Sequence, residues 1–357
     1  MKKKILFLED ESYYKNFGLN EFFLEKYKCD FNGMKNYKIS DRELREYSMV
    51  VSFLYTNPIC NFIIAKAKNI NIKTLLVSDG IYDFANSYKN KEIKKYNLKL
   101  FDPILHDFFL VVGEREAIML EDTYLITKQY LPKRVLNLEM KPIKLRNNKK
   151  VLITTANNAY FDDKEKRDFI SLLRQVLNIL NEMKIDYIFR IFDDNVVEEL
   201  KIKKEKNYIE GKFEDVLELV DYVITTPSSI TLTSMYHQRG VAQLLYRDTP
   251  LLIQSGWNIL NTVSIKETII SLLNRDEDRI NFQNKILKIY LPDKKFDEVL
   301  SEILEEKYEI KLKKYIKSNE YNMLNSIFNI NLEYYFRKIY LKLKTKKLIK
   351  IIKVKVK

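Results

Sequence analysis

The stretch from Tyr208 to Asp248, YIEGKFEDVLELVDYVITTPSSITLTSMYHQRGVAQLLYRD, constrains the fold more than any other part of the chain. Apolar positions at helical spacing from Phe213 to Val220 predict a helix. Val220 to Thr225 is a short β-branched and aromatic run, the mark of a strand buried on both faces. Pro227 ends that strand, and Ser228 and Ser229 are suited to cap a helix over Thr231–Arg239. Gly240 suits the left-handed position that closes such a helix. Val241 to Tyr246 then reads as a second buried strand. The unit is α-β-α-β, with two hydroxyls and free backbone N–H groups just beyond a strand's carboxyl end. In a doubly wound sheet an anionic ligand binds at such a place. The same serines can equally serve as helix caps, and the residues alone leave both readings open.

The rest of the chain repeats the alternation. Strands are predicted at Ile5–Leu8, Val50–Leu54, Thr74–Val77, Phe108–Val112, Val151–Thr155 and Tyr187–Phe192. Helices are predicted at Asp41–Tyr47, Ile59–Lys68, Glu114–Glu121 and Lys164–Met183. Short connections between such elements predict an α/β fold with parallel, doubly wound sheets. At 357 residues and 46% hydrophobic, the chain fills two globular domains. The polar, aperiodic run near Lys141–Lys149 marks the boundary. The expected division is 1–140, a linker at 141–150, a second domain at 151–300 and a helical extension at 301–357. Pro250–Asn261 reads as irregular, and late helices are expected at Ser264–Asn274, Asp276–Tyr290, Phe296–Lys314 and Leu324–Tyr340.

Several chemistries are disfavoured. The sequence has no Gly-x-Gly-x-x-Gly, no P-loop and no Gly-x-Ser-x-Gly elbow. Its two cysteines, Cys29 and Cys60, form no zinc pattern, and its two histidines, His106 and His237, read as partly buried residues. The acids Glu9, Asp10 and Glu11 after the first strand face solvent or line a cleft. Thr74–Val77 runs into Ser78-Asp79-Gly80. There Gly80 allows a tight turn, and Asp79 either projects into a cleft or caps the next turn. Tyr82, Asp83, Phe84, Asn86 and Tyr88 follow, a mixture suited to sugar contacts.

The order of late strand, Thr225-Thr226-Pro227-Ser228-Ser229, helix, Gly240 and strand resembles the C-terminal half of bacterial two-domain glycosyltransferases of the GT-B type. It is most similar to the sialyltransferase and polysialyltransferase group that builds capsule and lipooligosaccharide. The resemblance implies two Rossmann-like domains facing a cleft, a nucleotide-sugar co-substrate with no resident cofactor, and a glycan or glycolipid acceptor. It implies that Ser228 and Ser229, with Thr226, hold the phosphate of a CMP-sugar such as CMP-sialic acid. Asn157 and Asn158, in the first turn of the second domain, would approach the same phosphates. Asp79-Gly80 matches part of the group's acidic motif and implies that Asp79 is the general base. Chemistry agrees, because a hydroxyl attacking an anomeric carbon must lose its proton and a carboxylate can take it. The chain departs from the group in two places. Ser78 stands where a first acid is expected, and Phe192-Asp193 stands where a His-Pro pair contacts phosphate. Arg190 is the candidate to supply positive charge in its place. UDP-sugar enzymes of this type often carry a Glu on the helix after the serines. Here that place holds Thr233, Ser234 and Met235, which leans towards CMP or CDP donors. Transfer is expected to be inverting and metal-independent, with positive groups and a helix terminus stabilising the leaving phosphate. A CDP-polyol-phosphate transferase, or a non-catalytic scaffold of the same fold, are the alternatives.

Charge is uneven. Of the net +13, ten positive charges and no negative ones fall in Tyr334–Lys357. Nucleic-acid binding would interleave basic residues through the folded body, so no nucleic-acid partner is expected. A basic tail with interspersed aromatics is suited to the anionic inner face of a membrane. No window reaches the roughly 18 apolar residues of a membrane span, so the expected location is cytoplasmic and peripheral.

Overall fold

The computed structural model describes residues 2–94, 99–102, 104–121 and 125–307, together with Ile339. The expected helix Leu324–Tyr340 and the basic tail lie outside the described residues, apart from Ile339. Two separate parallel sheets are present. The first contains β1 (Lys4–Phe7), β2 (Lys28–Asp30), β3 (Met49–Ser52), β4 (Lys73–Val77), β5 (Phe108–Val112) and β6 (Ile126–Tyr130), in the order β2-β1-β3-β4-β5-β6. The second contains β7 (Val151–Thr154), β8 (Tyr187–Arg190), β9 (Tyr222–Thr225), β10 (Gly240–Leu245) and β11 (Trp257–Leu260), in the order β11-β10-β9-β7-β8. Every pairing is parallel. The central strands β3, β5, β7 and β9 are buried at every residue, as strands covered by helices on both faces must be.

Each sheet turns back on itself once. The chain passes from β1 to β2 on one side and then to β3 on the other, and from β7 to β8 and then to β9 in the same way. Both sheets therefore have a topological switch point, where neighbouring connections leave in opposite directions and a crevice opens beyond the strand ends.

The connection between the sheets is pinned rather than loose. The Asp221 carboxylate accepts backbone N–H groups from Arg146, Asn147, Asn148 and Lys149 at 2.6–3.1 Å. The fully buried Arg239 donates to the carbonyls of Ile143 and Lys144, and to those of Leu217 and Val220 within the second domain. His237 Nδ1 accepts from Ile143 N at 3.1 Å.

The chain returns to its first domain earlier than the sequence division suggests. In the helix Phe296–Glu305, Phe296, Val299, Leu300, Ile303 and Leu304 pack into the core of the first sheet with Ile5, Phe7 and Phe17. Gly240 also differs from expectation. It opens β10, and Gln238 (φ 61°) takes the left-handed position instead. A Cβ at 240 would lie 3.1 Å from both Leu272 and Tyr222, so close packing is what favours glycine there.

Candidate active site

The carboxyl ends of the two sheets face each other. The loop after β4 reaches the second domain through Asp83, which pairs with Arg247 beyond β10 at 3.2 Å. Beyond β5, Arg115 donates to Leu252 O at 3.2 Å. Beyond β6, the Val135 carbonyl accepts from Thr233 Oγ1 on the helix Ile230–Tyr236. An apolar seam joins the same edges, with Val112, Leu131 and Val135 packing with Leu232, Met235 and Tyr290, and Ile81 against them.

On the first rim, three elements hold the loop Ser78–Tyr82. The hydroxyl of buried Ser78 bonds to both the carbonyl and the N–H of Gly80. The Tyr130 hydroxyl, at the end of β6, donates to Ser78 O. Tyr82 N donates to the Glu116 carboxyl at 2.8 Å. Asp79 is left exposed, its carboxylate 3.6 Å from the Arg134 guanidinium. Gly80 is not at positive φ, and a Cβ there would meet nothing within 4 Å. The Ser78 hydroxyl shapes this turn, and Gly80 contributes open space beside it. Tyr82 is no sugar contact: it is buried among Phe84, Phe101 and their neighbours.

On the opposite rim lies the switch point between β7 and β9. Buried Thr226 accepts Ala156 N on its Oγ1 at 2.7 Å, tying together the loops that follow the two strands. Neither serine acts as a cap. Ser229 is already in the helical region (φ −62°, ψ −23°) and its side chain makes no capping bond. Ser228 Oγ is buried without a hydrogen-bond partner among the described residues. The helix they lead into has seven residues. Asn157 and Asn158 are exposed on the turn after β7. Asp79 and the serine helix lie either side of one short segment, since Arg134 pairs with Asp79 and the next residue, Val135, accepts from Thr233.

Arg190 is a correction. Its guanidinium donates to the carbonyls of Tyr208, Glu210 and Gly211 at 2.6–3.1 Å and lies over the Phe192 ring. Alternation along the strand places it on the Phe192 face. There it staples the 208–211 loop, and the role of meeting a phosphate does not carry over to it.

The charged group that does reach the crevice is Arg247. Its side chain is 5% exposed. It pairs with Asp83 across the crevice, lies 3.4 Å from Glu165 Oε2, and donates to the carbonyls of Asn158 and Ala159. Lys89 from the first domain reaches Glu165 at 2.8 Å and Asp162 at 3.3 Å. Sequence carries half of this signal, because a charge ending a buried strand must lie at the strand's mouth. The partner, 164 residues distant, leaves no local trace. Among the described residues no group of three or more His, Cys, Asp or Glu side chains is placed to hold a metal ion, and no helix is long and apolar enough to cross a membrane.

No family model matches the sequence, and no curated protein matches it. Among solved structures, TarM of S. aureus in complex with fondaparinux, alpha-GlcNAc-glycerol and UDP is 14% identical over 76% of this chain and 57% of that one, with a TM-score of 0.46. The chain thus spans little more than half of that protein's length. The wall teichoic acid polymerase TagF with CDPG is 13% identical over 84% of this chain and 87% of that one, with a TM-score of 0.46. UDP-GlcNAc 2-epimerase from Methanocaldococcus jannaschii is 16% identical over 85% and 99%, with a TM-score of 0.49.

Proposed function

We propose that the protein is a nucleotide-sugar-dependent glycosyltransferase with its donor at the β7/β9 switch point and its catalytic base on the facing rim. One observation carries this reading: two doubly wound sheets meet carboxyl end to carboxyl end, with a solvent-reachable carboxylate on one edge and an uncapped Ser-Ser turn on the other. The Asp79 carboxylate takes the proton of an acceptor hydroxyl. The acceptor oxygen bonds to the anomeric carbon as the bond to the donor phosphate breaks, and attack from the opposite side inverts that carbon. The backbone N–H groups and hydroxyls of 226–229 receive the charge that develops on the leaving phosphate. A CMP-sugar such as CMP-sialic acid is the favoured donor and a bacterial surface glycan the acceptor. Attachment to the inner membrane face through the basic tail, and turnover without a metal, belong to the same reading.

Thermal unfolding in the presence of CMP, CDP, UDP and GDP tests it, since a ligand of the folded state raises the melting temperature. Cytidine nucleotides are expected to give the largest shift. A donor at 100 times its Kd stabilises by about 2.7 kcal/mol. Ser228→Ala/Ser229→Ala is expected to remove the shift, and Asp79→Ala to keep it while losing turnover. Full turnover by the Asp79 variant, or no shift with any nucleotide, would end the proposal. A shift and turnover confined to CDP-polyol donors would establish the phosphotransferase alternative.

A further inference from the structure

Glu116 is a fully buried acid in the first turn of the helix Glu114–Leu120, which follows β5. Its Oε1 accepts Tyr82 N at 2.8 Å, and the Val112 backbone donates to the same carboxyl. Its Oε2 is buried with no hydrogen-bond partner among the described residues. This carboxyl therefore closes the far end of the Ser78–Tyr82 loop, while the Tyr130 hydroxyl closes the near end at Ser78. Asp79, the residue on which the proposed chemistry rests, lies between the two.

The groups facing Glu116 offer it no compensating charge. The loop above it presents the Tyr82 N–H, β6 presents Tyr130 and the helix Glu277–Tyr290 presents Tyr290. Tyr130 and Tyr290 are phenols raised by burial. Arg115, its chain neighbour, donates to Leu252 O, and Arg134 pairs with Asp79. Burial pushes the Glu116 carboxyl up to about 8, outweighing the Tyr82 and Val112 backbone N–H groups, which favour the ionised form.

We propose that Glu116 is a positioning residue for the loop that carries Asp79, and that a proton on the Glu116 carboxyl favours the closed loop. The closed loop binds one proton that the open loop releases to water. The balance is a single proton taken from solvent on closing and returned on opening. This inference rests on the transferase reading only for its effect on turnover, and the loop itself can be observed without any substrate.

Hydrogen exchange at the Tyr82 amide across pH 5 to 9, on the full chain, tests the coupling directly. An exposed carboxyl ionises near the ordinary 4.5. Between there and about 8, the Tyr82 protection factor should fall about tenfold per pH unit, then level off. Glu116→Gln keeps an acceptor for Tyr82 N but cannot ionise, so its protection factor should be flat with pH. Glu116→Ala should lower protection at every pH, and Glu116→Gln should restore it at neutral pH. With a donor that turns over, Glu116→Ala should reduce kcat tenfold or more with the donor KM unchanged. A flat profile in the natural protein, or an unchanged slope in Glu116→Gln, would overturn the coupling. Absence of turnover with every donor would count against the transferase reading and leave the exchange result standing.

Discussion

At Glu9 and Glu116 the folded chain keeps two carboxyls away from water. Glu9 lies at the switch point between β1 and β3, where Tyr14 and the N–H groups of Phe53 and Leu54 bond to it, and burial raises it to about 7. The first sheet thus fills its own switch point with a side chain, and the second leaves its switch point lined with hydroxyls. Both acids hold protons in the folded state that the unfolded chain gives up near 4.5. Their stability contribution is complete below 4.5 and is lost as pH rises through about 7 and about 8. The limit is about 1.4 kcal/mol per pH unit for each group. His237, lowered by burial, acts in the opposite direction up to its ordinary 6.5, so the clean window lies between 6.5 and 8. Urea unfolding should give a lower stability at pH 8 than at pH 6.5, and Glu116→Gln should flatten the difference. Equal stabilities at the two pH values would contradict the assignment. Residue identity announced Asp79 as a group on a strand's rim, but not the Arg134 beside it or the buried acid beneath its loop. Side-chain burial is decided by distant packing, and a glutamate in a helix's first turn reads as solvated until that packing is known.

Among the elements, the buried strands and long helices follow their sequence patterns closely. β5 is Phe108–Val112, as its apolar run predicts, and the predicted helix Lys164–Met183 is found at Asp163–Glu182. The strands without a sequence signal, β2, β6 and β11, lie at the sheet edges. β6, ITKQY, is half-buried along most of its length, and β11, WNIL, alternates buried with exposed. Edge strands carry polar residues because one side lacks a neighbour, and that erases the run by which a strand is recognised. One glycine decides how two elements meet. Gly113 has φ 90°, and a Cβ there would overlap the Tyr290 ring of the helix Glu277–Tyr290. Gly113→Ala combines left-handed strain with overpacking and should destabilise by about 1–3 kcal/mol or more. Gly80→Ala meets open space and should stay within about 1 kcal/mol of the natural protein. Chemical denaturation of both variants checks this, and similar costs at the two positions would refute it.

Across the molecule, an apolar seam and an ionic latch hold the two sheets together. The seam runs through Val112, Leu131, Leu232 and Tyr290, and the latch joins Asp83 and Lys89 to Arg247 and Glu165. Apolar contacts do not weaken with salt, and partly exposed charge pairs do. Arg247→Met should therefore loosen the latch and leave the seam closed. Hydrogen exchange should speed up at residues 83–89 and 158–165 and stay unchanged at 131–136. Uniform change across both regions would show that the domains move as one body. The periodicity of apolar residues determined, by itself, that this chain builds parallel doubly wound sheets, and the serine-bearing unit marked the carboxyl end of one strand as a place for an anion. Such patterns are local, because a strand buried on both faces must be apolar along its whole length. Only the tertiary structure decided that Arg190 clamps a loop and that Arg247 reaches the crevice. Those outcomes depend on which atoms meet between separate elements, 18–21 residues apart for Arg190 and 164 for Arg247 with Asp83, and no spacing within a segment encodes that meeting.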